Sequence, residues 1–153
     1  MKHSIPFYGT VTASATTTFV SQFLGFPYVL EKIRVKFALG HVGLVQHKFF
    51  VSPDNVVVTS GTPNGINVLS QNGQVDYLVG DDDVLEIQDQ TDVKQRGTWL
   101  KVLAINADTA NHTVNVIITI DDLLVHPGLA AMVRELKAAG LTLIPGVPGV
   151  DLP

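Results

Sequence analysis

Three consecutive carboxylates, Asp81, Asp82 and Asp83, follow Gly80 and make the densest group of hard oxygen donors in the chain. With Asp76 or Glu86 such a turn could hold calcium, which is ligated by oxygen alone. The spacing is not that of an EF-hand loop, and adjacent side chains on extended chain point to opposite sides. A charged, solvated turn is therefore the expectation, with a cation site at Asp81, Asp82 and Asp83 the less favoured reading. The histidines His3, His41, His47, His112 and His126 show no HxH, HxxxH or HExxH spacing, so no single element carries a metal-ligand pair. They read as surface or turn residues. The chain has no cysteine and no GxSxG elbow, which removes the usual activated nucleophiles. Its acids crowd into one region instead of flanking a cleft, which disfavours glycoside hydrolysis. The expectation is no enzyme: no catalytic residue, no cofactor and no resident metal. Trp99, Tyr8, Tyr28 and Tyr77 could form a sugar platform on an open face, although Trp99 shares a strand face with Leu103 and Ile105, which favours burial.

The elements that would position these groups read as strands. Residues 5–24 (IPFYGTVTASATTTFVSQFL) are rich in Thr, Val and aromatics, and read as two extended pieces with Gly9 and Ala13–Ala15 as the breaks. In LEKIRVKF, Ile33, Val35 and Phe37 fall on one face and Lys32, Arg34 and Lys36 on the other, the period of a half-buried strand. LVQHKFFVS follows after a turn at Gly40 and Gly43, as a hairpin partner or a neighbour across a sandwich. Between Asp54 and Asn72 the short apolar pieces VVV and INVL alternate with SGTPNG and SQNG, whose Asn-Gly pairs suit tight turns. QVDYLVG and VLEIQ flank the aspartates, whose charges would guard a sheet edge. TWLKVLAIN and TVNVIITI read as a closing meander, with Val114, Val116, Ile118 and Ile120 on one apolar face. The fold class is all-β: an antiparallel β-sandwich or jelly roll of about eight or nine strands, spanning residues 1–122.

The pattern changes in residues 123–153. Pro127 and Gly140 bracket LAAMVRELKAA, in which Leu129, Met132, Val133 and Leu136 recur at the spacing of one helical face. A helix this short is marginal alone and must bury that stripe against the sandwich or a neighbour. The tail PGVPGVDLP can form neither helix nor central strand and reads as an extended arm. Pro145, Val147, Pro148, Val150 and Leu152 join the helix stripe as candidate interface residues. Residues 123–153 are thus an appendage of helix and arm, not a second domain.

Charge narrows the partners. Only 16% of residues are charged, against roughly 25% in an ordinary soluble chain, so the surface is rich in uncharged polar groups that cost little to cover. The net charge of -4 disfavours nucleic acid, which needs concentrated Lys and Arg. Residues 1–50 hold Lys2, Lys32, Arg34, Lys36 and Lys48 against the single acid Glu31, whereas Asp76–Asp92 is wholly acidic. Each run could be a solvated face, or the two could meet between neighbouring subunits and fix their orientation. The start MKHSIPFYGTVT lacks the apolar core of a secretory signal, and no run is long enough for a membrane span.

In style and layout FPYVLEKIRVKF, HKFFVSPD, VDYLVGDDDVLEI, RGTWLKVLAIN and NHTVNVIITI resemble the small β-sandwich auxiliary (decoration) proteins of tailed-phage capsids. The resemblance covers residues 28–120 and leaves the helix and arm unmatched. It implies a structural virion protein, assembled in the host cytoplasm, that clusters with itself, commonly as a trimer, and bridges major capsid or other shell subunits without nucleic acid or membrane. The alternatives are a carbohydrate-binding module, or a subunit of a tail fibre, filament or surface layer.

Overall fold

Alternation builds the strands, and eight of them form among the described residues. β1 (Lys2–Val11) and β2 (Thr16–Val20) come from the Thr-rich start; β3 (Tyr28–Phe37) and β4 (Val45–Ser52) follow. β5 (Ile66–Asn67) is a two-residue piece running into α1 (Val68–Gln71), a single turn. β6 (Asp83–Val93), β7 (Trp99–Asn106) and β8 (His112–Asp122) complete the set. This computed structural model describes residues 1–71, 73 and 75–123. The expected helix with Leu129, Met132, Val133 and Leu136, and the arm with Pro145, Val147, Pro148, Val150 and Leu152, lie outside the described residues, as does His126.

The strands form two antiparallel four-stranded sheets, ordered β1-β8-β3-β6 and β2-β7-β4-β5. Nearly every successive strand changes sheet, which is the strand order of a jelly roll. β3 and β4 therefore face each other across the core instead of pairing as a hairpin. β7 and β8 were expected to form a meander, but the turn at 107–111 crosses from one sheet to the other. The reason lies in their inner faces. Leu100, Val102 and Ala104 on β7, and Val114, Val116, Ile118 and Ile120 on β8, are all buried, so both strands line the same interior from opposite sides. Phe7, Leu30, Ile33, Val35, Phe37 and Phe49 fill the space between them.

The segment 53–65, which holds the apolar piece VVV, forms no strand. It runs over the outer face of the second sheet. Lys101 on β7 points outward beneath it, is wholly enclosed, and donates to Asp54 Oδ1 at 2.7 Å and to the Val56 carbonyl at 2.8 Å. Thr18 on β2 donates to the Val58 carbonyl at 2.7 Å. The edges of the first sheet are guarded. β1 carries Pro6, which has no N–H for a further strand, and β6 has a bulge beside Lys32 with Asp89 turned inward, at 6% exposure. Among the described residues of QVDYLVG, Leu78 forms a bridge to His47.

Candidate functional site

One end of the sandwich departs from the local rules that the rest obeys, and such departures mark candidate sites. The connection 38–44 between β3 and β4 reverses the chain through Gly40 and Gly43, with φ of +101° and +71°. Between them Val42 sits at φ +47°, where a β-branched residue is strained by about 1–3 kcal/mol. Asp81 enforces this. Its Oδ1 accepts the Gly40 N–H at 2.9 Å and the Val42 N–H at 3.2 Å, while Gly43 N–H reaches the Gly80 carbonyl at 3.3 Å. The two turns lock together. Gly80 admits no side chain, because a Cβ there would lie 2.7 Å from both Phe37 and Asp83.

The lock has two products. On the outside it displays apolar side chains in water: Leu39 is 77% and Val42 66% exposed, with Leu44, Val79 and Val84 nearby in sequence and also exposed. On the inside it drives His41 into a closed cluster. His41 and His47 are both 0% exposed, and Phe37 lies edge-on to each at ring separations of 6.1 and 5.2 Å. His41 stacks over His47 at 6.2 Å and meets His112 at 4.8 Å. Only His112 has a polar partner, with its Nε2 2.7 Å from Asp108 Oδ2. Neither ring nitrogen of His41 or of His47 meets hydrogen-bond geometry with any group among the described residues.

The electrostatics follow from this enclosure. Burial is the main cause that pushes His47 down to about 4, and the neighbouring His41 adds to it; the backbone at Val45 and Leu78 opposes the shift without forming a proper bond. His41 is also lowered, first by burial and then by His112, against smaller opposing effects of the Thr113 backbone and Asp81. Its ring is sealed by one turn, whereas His47 stands on a core strand. Asp108 is held below the usual carboxylate range, chiefly by His112 and then by the Thr109 N–H. Both buried rings are neutral at pH 7.

These findings sort the sequence candidates. Asp81 is a turn lock, not a free ligand, and Asp82 and Asp83 lie exposed beside it. Among the described residues no group of three or more His, Asp or Glu side chains could hold a metal ion. The histidines were expected as surface or turn residues; His41 does lie in a turn, although buried, while His47 on β4 is a buried strand residue and corrects that expectation. A signal existed for His47, which shares its strand face with the apolar Val45 and Phe49; none existed for the meeting of residues 41, 47 and 112. Of the proposed sugar platform, Tyr28 is wholly buried, bonds Thr98 Oγ1 at 3.1 Å, and is pushed up to about 12 by that burial. Trp99 is half-buried against Phe23 at 4.9 Å, and Tyr77 is half-buried. Tyr8 stands 74% exposed.

Away from the histidine cluster, a depression of about 470 Å³ lies among Val51, Pro53, Ile66, Val93, Asp92 and Lys94. Its volume suits a small ligand, yet none of the described residues lining it is aromatic or a histidine. Among the described residues no helix is long and apolar enough to cross a membrane. No family model and no curated protein matches the chain.

Proposed function

We propose that the chain is a non-enzymatic structural subunit, a decoration or stabilising protein of a tailed-phage capsid, that self-associates on the virion and bridges neighbouring shell subunits. The observation that carries this is the locked turn. Val42 is held in a strained conformation with its apolar side chain in water, a double cost that a partner's surface would offset. The jelly-roll order supports the reading by analogy, since viral shells use it repeatedly. Few charges and guarded edges favour contacts made through faces and turns instead of added strands. The same strand order also serves lectins, but three of the four aromatics proposed as a sugar platform are wholly or half buried.

Light scattering and negative-stain imaging of the full chain test the proposal. A discrete oligomer, weakened by deletion of residues 141–153, is the expected outcome. A monomer at every concentration would remove self-association from the proposal. Quenching of Trp99 fluorescence by oligosaccharides would favour the sugar-binding alternative.

A further inference from the structure

Two surfaces of this chain are opposite in charge. The first is the locked tip, where Leu39, Val42 and Val79 are exposed and are rimmed by Asp82 and Asp83. The second is the outer face of the β1-β8-β3-β6 sheet. There β3 turns Arg34 and Lys36 to solvent, in register with β8, where Ile117 stands opposite Arg34. β1 adds Tyr8 opposite Asn115. Arg34, Lys36, Asn115 and Ile117 border a shallow depression of about 100 Å³.

Neither Arg34 nor Lys36 has an ion-pair partner among the described residues, and neither do Asp82 and Asp83, although Lys32, Lys48 and Lys101 each have one. On one surface unpaired cations border a hollow whose apolar member is Ile117, with Glu86 opposite Arg34 engaged by Lys32; on the other, unpaired anions lie beside an apolar tip. The tip cannot fold back onto its own sheet, because Asp81 fixes the turn.

Resting on the assembly reading above, we propose that the tip of one copy docks on the outer face of the β1-β8-β3-β6 sheet of a second copy. Val42 enters the hollow beside Ile117, and Asp82 and Asp83 approach Arg34 and Lys36. Because the two surfaces differ, the contact is head-to-tail, and its repetition closes a ring or extends a filament. The apolar core of the contact gives it affinity, and the charges fix its orientation and make it salt-sensitive.

Sedimentation of the full chain with two variants tests this. Val42→Gly removes the tip side chain while suiting the positive φ, and Arg34→Glu with Lys36→Glu reverses the face; thermal melts confirm that each folds, and Arg34→Gln with Lys36→Gln replaces the reversal if it does not. Each variant alone should lose about tenfold or more in association constant, which corresponds to at least about 1.4 kcal/mol. Mixed together, they should form heterodimers of near wild-type affinity through the one intact pair of surfaces. An oligomer unaffected by either variant would sink this contact and leave the assembly reading standing. Loss in the tip variant alone would replace head-to-tail docking with tip-to-tip. A monomeric full chain would sink both.

Discussion

Lys101 and the pair His41 and His47 are equally enclosed, yet their surroundings are opposite. Lys101 is buried under a loop that exists to receive it: Asp54 and the Val56 carbonyl accept its protons, and Asn64 bonds the other Asp54 oxygen at 2.8 Å. The histidines are buried against Phe37 with no such provision. A satisfied buried cation pins segment 53–65 in place, whereas an unsatisfied imidazole is stable only while it stays uncharged. One end of the molecule is thus stapled and the other is conditional.

The largest way to break this contrast is to remove the wall that both histidines share. Phe37 is 1% exposed, and Phe37→Ala should cost about 3–5 kcal/mol in urea unfolding. It should also admit water to His41 and His47, so that their NMR titrations move up toward ordinary values. A loss of stability with unmoved titrations would show that Phe37 does not set their enclosure.

Acid separates the two regions next. The folded value of His47 lies below the unfolded 6.5, so below that pH the unfolded chain binds the extra proton. Its stabilising contribution is complete above about pH 6.5 and is lost as pH falls toward 4, a loss on the order of 3 kcal/mol. His41 adds to the loss in the same direction, facing His112, His47 and Asp81. Asp54 behaves differently. Lys101, then Asn64 and the Val56 N–H, hold it well below the ordinary 3.8, so its contribution persists down to that pH and fades only below it. Amide exchange should therefore loosen 38–44 between pH 6.5 and 4 while 54–58 stays protected, and His47→Leu should flatten the acid slope of the melting temperature. Simultaneous loosening of both segments would refute the contrast.

The two regions also differ in how far the sequence revealed them. β3 and β8 were legible because alternation is local: Ile33, Val35 and Phe37, like Val114 to Ile120, reach the core simply by being two residues apart. The sheet assignment of β7 and β8 was not legible, since either pairing satisfies the same alternation. Nor was the staple, because Lys101 shares its strand face with Trp99, Leu103 and Ile105, and nothing near it in sequence names a partner until a loop from 47 residues earlier crosses it. The histidine cluster needs a turn, β4 and β8 to converge, and no spacing encodes that. The acidic turn was read correctly as acidic and incompletely as solvated: Asp81 is consumed by backbone N–H groups.

Replacing the staple should have a smaller, local effect. Lys101→Met keeps the buried stem but releases Asp54, which retains contact with water at 30% side-chain exposure. Exchange at Val56 and Val58 should accelerate, with little change at 38–44. If the histidine turn loosened as well, the two ends would be coupled through the core and the contrast would be one of degree.

The finest test separates backbone strain from protonation at the conditional end. Val42→Asn places a residue that tolerates φ +47° where a β-branched one now sits, and should raise stability at pH 7.5 by up to about 1 kcal/mol. Val42 points outward and His41 inward, so the acid slope should remain that of the wild type. Parallel melting curves displaced upward would mean that strain and buried imidazoles are independent costs of the same turn. A flattened slope would instead mean that the strain is what holds His41 inside, so that relieving it lets the ring reach water before it has to take up a proton.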